Sequence, residues 1–196
     1  MYAVNEIFYS LQGEGLWSGT PMIFVRLSGC NLRCPFCDTD FRNGVPMSAS
    51  EIVARVRETG PDCRRICLTG GEPLLQADEK LIQAFHEAGY AVHVETNGTC
   101  KAPEGLDWIT LSPKEDFVPE GKVVLDRADE VKLVLCSPYD ESKIERWAKF
   151  PAAHHSLQPC ANPLTGESNV QETMDYILAH PHWRLSLQTH KLLNIR

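Results

Sequence analysis

Residues 65–95 read RICLTGGEPLLQADEKLIQAFHEAGYAVHVE. The apolar run at 65–69 predicts a strand, stopped by Gly70-Gly71-Glu72-Pro73. From Asp78 to Ala88, Leu81, Ile82 and Phe85 recur at helical spacing, and Gly89 stands where a helix C′ residue belongs. A second apolar run at 91–95 follows at once. Strand, helix and strand in about thirty residues make a unit whose strands lie parallel with the helix outside.

The same alternation runs along the chain. Further strands are expected at 6–10, 22–27, 108–111, 130–135, 156–158 and 184–188, where Ile, Val, Phe and Leu dominate. Ser48-x-x-Glu51 is a capping box ahead of Ile52, Val53 and Val56. Helices are also expected at 140–150 and 170–180, the second stopped by Pro181. The connections at 97–107 and 112–129 are rich in Pro, Gly and charge, with weak helical periodicity. The expected class is therefore α/β: an abridged, open (β/α)6-type partial barrel with fewer helices than strands, formed by one domain over residues 1–196. In parallel folds of this kind, ligands gather at the carboxyl ends of the strands.

The bulk numbers narrow the function classes. The chain has 196 residues, 43% apolar and 23% charged, an ordinary globular composition. A net charge of −7 gives no electrostatic case for nucleic acid or an anionic membrane as partner. No apolar run approaches the roughly 20 residues of a membrane span, and Met1 to Glu6 lacks the pattern of a signal peptide. A cytoplasmic, reducing setting is expected, where eight cysteines point to metal chemistry or burial rather than disulfides. Cys67 and Cys136 lie in apolar strand-like runs and read as small core residues.

Three cysteines stand as Cys30-x3-Cys34-x2-Cys37. Three thiolates on one short loop can hold three irons of a four-iron cluster. With no fourth cysteine at comparable spacing, the fourth iron keeps an open position. A structural zinc site, or unrelated buried cysteines, are the alternatives that spacing leaves open. Gly70-Gly71-Glu72-Pro73 alone reads equally as a tight turn, although two glycines let a backbone approach a ligand closely. Together the two motifs resemble the radical S-adenosylmethionine (SAM) superfamily. That resemblance implies a single radical SAM domain with one 4Fe-4S cluster on Cys30, Cys34 and Cys37. It further implies that the open iron chelates SAM, that Gly71 lies against it, and that one electron cleaves it to a 5′-deoxyadenosyl radical.

Two more strand ends look like SAM contacts: Glu95 and Asn97 in Glu95-Thr96-Asn97-Gly98, and Ser112-Pro113-Lys114. Their hydroxyl, amide and ammonium groups suit ribose hydroxyls and a carboxylate, while turn chemistry is the competing account. Asp38 and Thr39 follow the last cysteine with hard oxygen donors suited to Mg²⁺, or else close the loop as an Asx-type turn.

Near the start stands Phe8-Tyr9-Ser10-Leu11-Gln12-Gly13-Glu14-Gly15, and the chain closes on Gln188-Thr189-His190-Lys191 through to Arg196. With Cys37-Asp38-Thr39 and Leu157-Gln158-Pro159, these stretches resemble the 7-carboxy-7-deazaguanine synthase family over nearly the whole chain. The resemblance implies conversion of 6-carboxy-5,6,7,8-tetrahydropterin to 7-carboxy-7-deazaguanine, with ring contraction and loss of ammonia, toward queuosine. It implies Mg²⁺ on Thr39, and SAM against Phe36, Cys37, Asp38, Gly71, Glu95, Asn97, Ser112, Pro113, Lys114, Gln158, Pro159, Cys160 and Ala161. It implies substrate against Leu11, Gln12, Gly13, Glu14, Arg26, Thr69, His190 and the carboxylate of Arg196. The implied partners are the pterin, an external donor of flavodoxin or ferredoxin type, and a second copy of the chain in a homodimer. A glycyl-radical-enzyme activase and a non-enzymatic iron–sulfur carrier are the rival readings. The first has no need of Gln12, Glu14 and the closing segment, and the second gains nothing from an open iron.

Overall fold

The structure is a computed structural model that describes residues 1–161 and 167–196. Its elements, in chain order, are β1 (Tyr2–Leu11), β2 (Pro21–Leu27), β3 (Val45–Met47), α1 (Ala49–Thr59), β4 (Arg65–Gly70), α2 (Glu79–Glu87), β5 (Ala91–Thr96) and β6 (Trp108–Leu111). Then come β7 (Glu130–Leu135), α3 (Glu141–Ala148), β8 (His154–Pro159), α4 (Val170–Ala179), β9 (Arg184–Leu185) and α5 (Thr189–Leu193). One open sheet runs β3-β1-β2-β4-β5-β6-β7-β8-β9. From β2 to β9 every neighbouring pair is parallel, while β1 is antiparallel to both β2 and β3. The abridgement expected from the sequence holds: no helix occupies 97–107, and 112–129 carries only the 3₁₀ turn Pro119–Gly121.

Strand alternation divides the residues between two faces. Ile66 and Leu68 of β4 and Val92 and Val94 of β5 face α1 and α2, where Ile52, Val56, Leu81, Ile82 and Phe85 complete the main core. A second core joins Leu111, Val131, Leu133, Leu135 and Leu157 to Ile144 and Trp147 of α3 and Tyr176 of α4. The other face carries Phe8, Met22, Phe24 and Cys67, and then polar residues toward the strand ends. Trp17 lies edge-on to His93 and Trp108 there, with ring centroids 4.7 and 5.5 Å away.

Some elements depart from expectation. β3 contains Pro46, which a strand accepts because it lies at the sheet edge. β9 ends after two residues, short of the 184–188 expected, and α5 begins at Thr189, where no element had been expected. Cys67 is buried as expected, but Cys136 is only half-buried. It lies one residue past the end of β7, where the chain has left the core. Among the described residues no helix is long and apolar enough to cross a membrane.

The capping box forms, with the Ser48 side chain accepting from the Glu51 amide and Glu51 accepting from the Ser48 amide. Helix α2 is capped by Asp78, whose Oδ1 accepts from the Leu81 amide at 2.9 Å and the Tyr2 hydroxyl at 2.7 Å. Asp78→Ala should therefore lower stability by about 1–2 kcal/mol, read as a lower urea midpoint at unchanged m-value.

Candidate active site

A cavity of about 630 Å³ opens at the carboxyl ends of the parallel strands. One wall is the cysteine loop. A Cβ on Gly70 would sit 2.1 Å from the Leu27 carbonyl oxygen, and one on Gly71 only 2.1 Å from the Gly29 carbonyl oxygen and 2.8 Å from the Cys30 Cβ. The paired glycines thus let the end of β4 press against β2 and the cysteine loop. Glu72 has no exposed surface and an extended backbone, as the following proline dictates. Its carboxylate accepts from the Leu74 amide at 2.9 Å, the Thr96 hydroxyl at 2.7 Å and the Asn97 amide at 2.7 Å. Burial raises its pKa against those bonds. Asn97 in turn donates to Asn31 at 3.3 Å, and Asn31 donates to Thr99 at 2.8 Å. The ends of β4 and β5 are tied in this way to the loop that carries the thiols.

Cys30, Cys34 and Cys37 all line this wall. The Cys37 amide closes a turn onto the Cys34 carbonyl at 3.1 Å, and the Leu32 amide points at the Cys30 sulfur at 3.4 Å. Burial pushes the Cys30 and Cys34 thiols up; Glu72 and Cys37 raise Cys30 further, and Cys37 and Cys30 raise Cys34. A bound iron cation offsets that penalty by holding the thiolate form. The donor set, with glycine backbone packed behind it, fits a four-iron cluster.

Beside it, the Lys114 ammonium donates to the Ser112 hydroxyl and, at 2.7 Å, to the Ser112 carbonyl. Burial pushes Lys114 down to about 8. Phe36 packs edge-on to Phe117 at 4.8 Å, with the Lys114 ammonium 6.0 Å from its ring centre. Every residue expected at the SAM and substrate sites lines the cavity except Pro113, which is buried while its neighbours Ser112 and Lys114 take the cavity-facing positions. Asn97 lines it as well, but its side chain is engaged in holding the cysteine loop.

The floor holds a charge array whose lysine sequence reading missed. Lys132, 3% exposed, donates at 2.6 Å to Glu14 and at 2.6 Å to Glu95. Glu14 also accepts from Gln158 at 3.2 Å and Gln188 at 2.9 Å. Burial alone raises the Glu14 carboxyl, but the Lys132 ammonium and the Gln188 amide outweigh it and hold Glu14 at about 2. Glu95 accepts from Gln12 at 3.2 Å; its carboxyl is raised, burial outweighing the attraction of Lys132. Lys132 is itself raised, both carboxylates overcoming its burial. A lysine inside the apolar stretch of β7, two residues after Glu130, was the available signal. Glu130 accepts from Ser156 at 2.7 Å and from the Leu16 amide at 3.1 Å on the same sheet face.

At the mouth, Arg26 pairs with Glu6 at 2.8 Å, and the Arg196 guanidinium pairs with Glu6 as well. The Ser10 hydroxyl donates to the Arg196 carbonyl oxygen at 2.6 Å. Lys191, also unforeseen, pairs with Asp38, and half-buried Thr39 lines the cavity beside it. His190 lies against Gly13, and burial lowers its pKa.

A protein of Bacteroides thetaiotaomicron named 7-carboxy-7-deazaguanine synthase is 48% identical over all of this chain and all of its own length. This chain belongs to the 7-carboxy-7-deazaguanine synthase family. A synthase of Bradyrhizobium diazoefficiens is 43% identical, covering 100% of this chain and 99% of its own. The sequence model of the radical SAM superfamily matches residues 24–114, from β2 through the cysteine loop to Lys114. Among solved structures, QueE from Escherichia coli superposes with a TM-score of 0.77 at 27% identity, covering 95% of this chain and 93% of that one. Membership in the synthase family implies a 4Fe-4S cluster and SAM, which the cysteine wall and strand ends fit.

Proposed function

We propose that this chain converts 6-carboxy-5,6,7,8-tetrahydropterin to 7-carboxy-7-deazaguanine in the cytoplasm, on the way to queuosine and related deazapurines. Full-length likeness to the named synthases supports the reading. The observation that carries it is that one cavity gathers the cysteine loop, the strand ends and the segment Gln12 to Glu14. Substrate less one ammonia has the composition of the product, so the conversion needs no net oxidant. With the cluster bound, SAM supplies the 5′-deoxyadenosyl radical that starts it.

In this reading Gln12 and Glu14 take the pyrimidine edge, an anionic acceptor suiting its N–H groups. Arg26, steadied by Glu6, pairs with the substrate carboxylate. SAM lies between Gly71, Ser112, Lys114 and residues 158–161, where the Lys114 ammonium can donate an N–H to its carboxylate. Thr39 would supply an oxygen to Mg²⁺, and the ion would supply charge that orients the substrate carboxylate. An external flavodoxin- or ferredoxin-type protein supplies the electron. A homodimer would cover apolar side chains such as Leu178, Leu192 and Leu193, which are 79%, 74% and 61% exposed.

Anaerobic incubation of reconstituted protein with SAM, reductant and the carboxylated tetrahydropterin tests the reading by product analysis. 7-Carboxy-7-deazaguanine is expected. 5′-Deoxyadenosine without consumption of the pterin would instead favour an activase, and its absence a carrier. In the same assay turnover should rise with added Mg²⁺, and Thr39→Ala should blunt that rise while iron content stays unchanged. Equal rates in magnesium-free buffer would remove the metal role of Thr39.

A further inference from the structure

The Glu14–Lys132–Glu95 array is more specific than a pair of carboxylates needs to be. Each carboxylate uses one oxygen on Lys132 and the other on side-chain amides. Lys132 spends two of its three N–H groups on Glu14 and Glu95, and no third protein acceptor for it is found among the described residues. Carboxylate oxygens each accept two bonds, so both acids retain capacity. All three side chains line the cavity. A ligand there meets an acceptor, a donor and an acceptor in a row.

A tetrahydropterin presents the complement along one edge: N3–H, the C4 carbonyl oxygen, then N5–H. The geometry points to this array as the reader of the pterin's oxidation state, an inference that rests on the pterin reading of the cavity. Glu14, at the pyrimidine end, takes N3–H. Lys132 donates its third N–H to the carbonyl. Glu95 takes N5–H. In 7,8-dihydro and fully oxidised pterins N5 is an imine with a lone pair and no proton. It would then face the Glu95 carboxylate, acceptor against acceptor, in a buried site where an unmade bond is costly. N5 is also the nitrogen that leaves as ammonia in the ring contraction. The product therefore lacks this contact and brings its own carboxylate toward the acids, which favours its departure.

The test is anaerobic equilibrium dialysis of the SAM-loaded holoenzyme with 6-carboxy-5,6,7,8-tetrahydropterin and with fully oxidised 6-carboxypterin. The wild type should prefer the reduced form by roughly 100-fold, the scale of one buried bond exchanged for an acceptor clash. Glu95→Gln puts an amide N–H within reach of the imine and should cut that ratio to below about 10. Lys132→Met should weaken both forms by a similar factor, since both keep the carbonyl. If Lys132→Met fails to fold, the nearly isosteric Glu95→Gln decides the matter alone. Equal binding of the two pterins by wild type, or an unchanged ratio in Glu95→Gln, overturns the inference even where the deazaguanine product forms. Binding of neither pterin, with no product formed, overturns the proposed function and this inference together.

Discussion

Cys34→Ala should give a folded protein that no longer holds iron. Cys34 is half-buried on the loop wall and belongs to no core cluster, so the unfolding free energy of the iron-free variant should lie within about 0.5 kcal/mol of the iron-free wild type. Iron and acid-labile sulfide per chain should fall to background after anaerobic reconstitution, and the visible absorbance should vanish with them. Cys30→Ala and Cys37→Ala should behave alike, since two thiolates cannot anchor what three hold. Cys63, Cys100 and Cys136 stand away from this wall, and their replacement by Ala should leave iron loading intact. Full four-iron loading of Cys34→Ala would end the assignment.

Glu72→Ala should act in the opposite sense, on the fold before the iron. The change strands two backbone amides and the Thr96 hydroxyl without an acceptor. Two of those donors lie on the β5 end that steadies the cysteine loop. Unpaired buried donors cost about 1–3 kcal/mol each, and partial relaxation leaves a loss of about 3–5 kcal/mol. For a chain of this size that corresponds to a fall of roughly 6–20 °C in melting temperature. Glu72→Gln keeps an acceptor oxygen and should fall between wild type and Ala. A melting curve unchanged by Glu72→Ala would show that the strand ends are held together by other means.

Much of this architecture could be read from residue patterns, because strongly periodic elements bury their apolar face where the pattern says. The parallel strands from β2 to β8 and helices α1 to α4 fall within a few residues of expectation for that reason. So does the gathering of the cysteine loop, Gly71, Ser112, Lys114 and Gln158 at one set of strand ends. What escaped has physical causes. β3 is three residues long and contains a proline, so it exists only because β1 offers an edge to pair with. α5 depends on Thr189, whose amide and hydroxyl both donate to the Gly13 carbonyl at 2.9 Å, a partner no local pattern announces. Lys132 looked like an interruption in an apolar strand, and its meaning appears only when Glu14 and Glu95 arrive from distant parts of the chain. Pro113 matched a motif, yet strand-end geometry turned it inward.

The two walls of the cavity are closed by contacts of very different span. The thiol wall is held by Asn31, Glu72, Asn97 and Thr99, joined across at most 68 residues of sequence. The floor closes when Gln188 reaches Glu14 across 174 residues, Ser186 reaches Gly15 across 171 and Thr189 reaches Gly13 across 176. Regular structure in the segment that makes those contacts is limited to the two-residue β9 and the short α5, with Ser186 donating to Gln158 at 2.9 Å and Lys191 pairing with Asp38. Long closures form late and open early, since their entropy is recovered on release for the loss of few bonds. In hydrogen exchange, amides of residues 186–193 should therefore lose protection well before those of β4 and β5. On that expectation the thiol wall stays assembled while the opposite floor opens, and ligand entry is set by the rate of opening rather than by cavity shape.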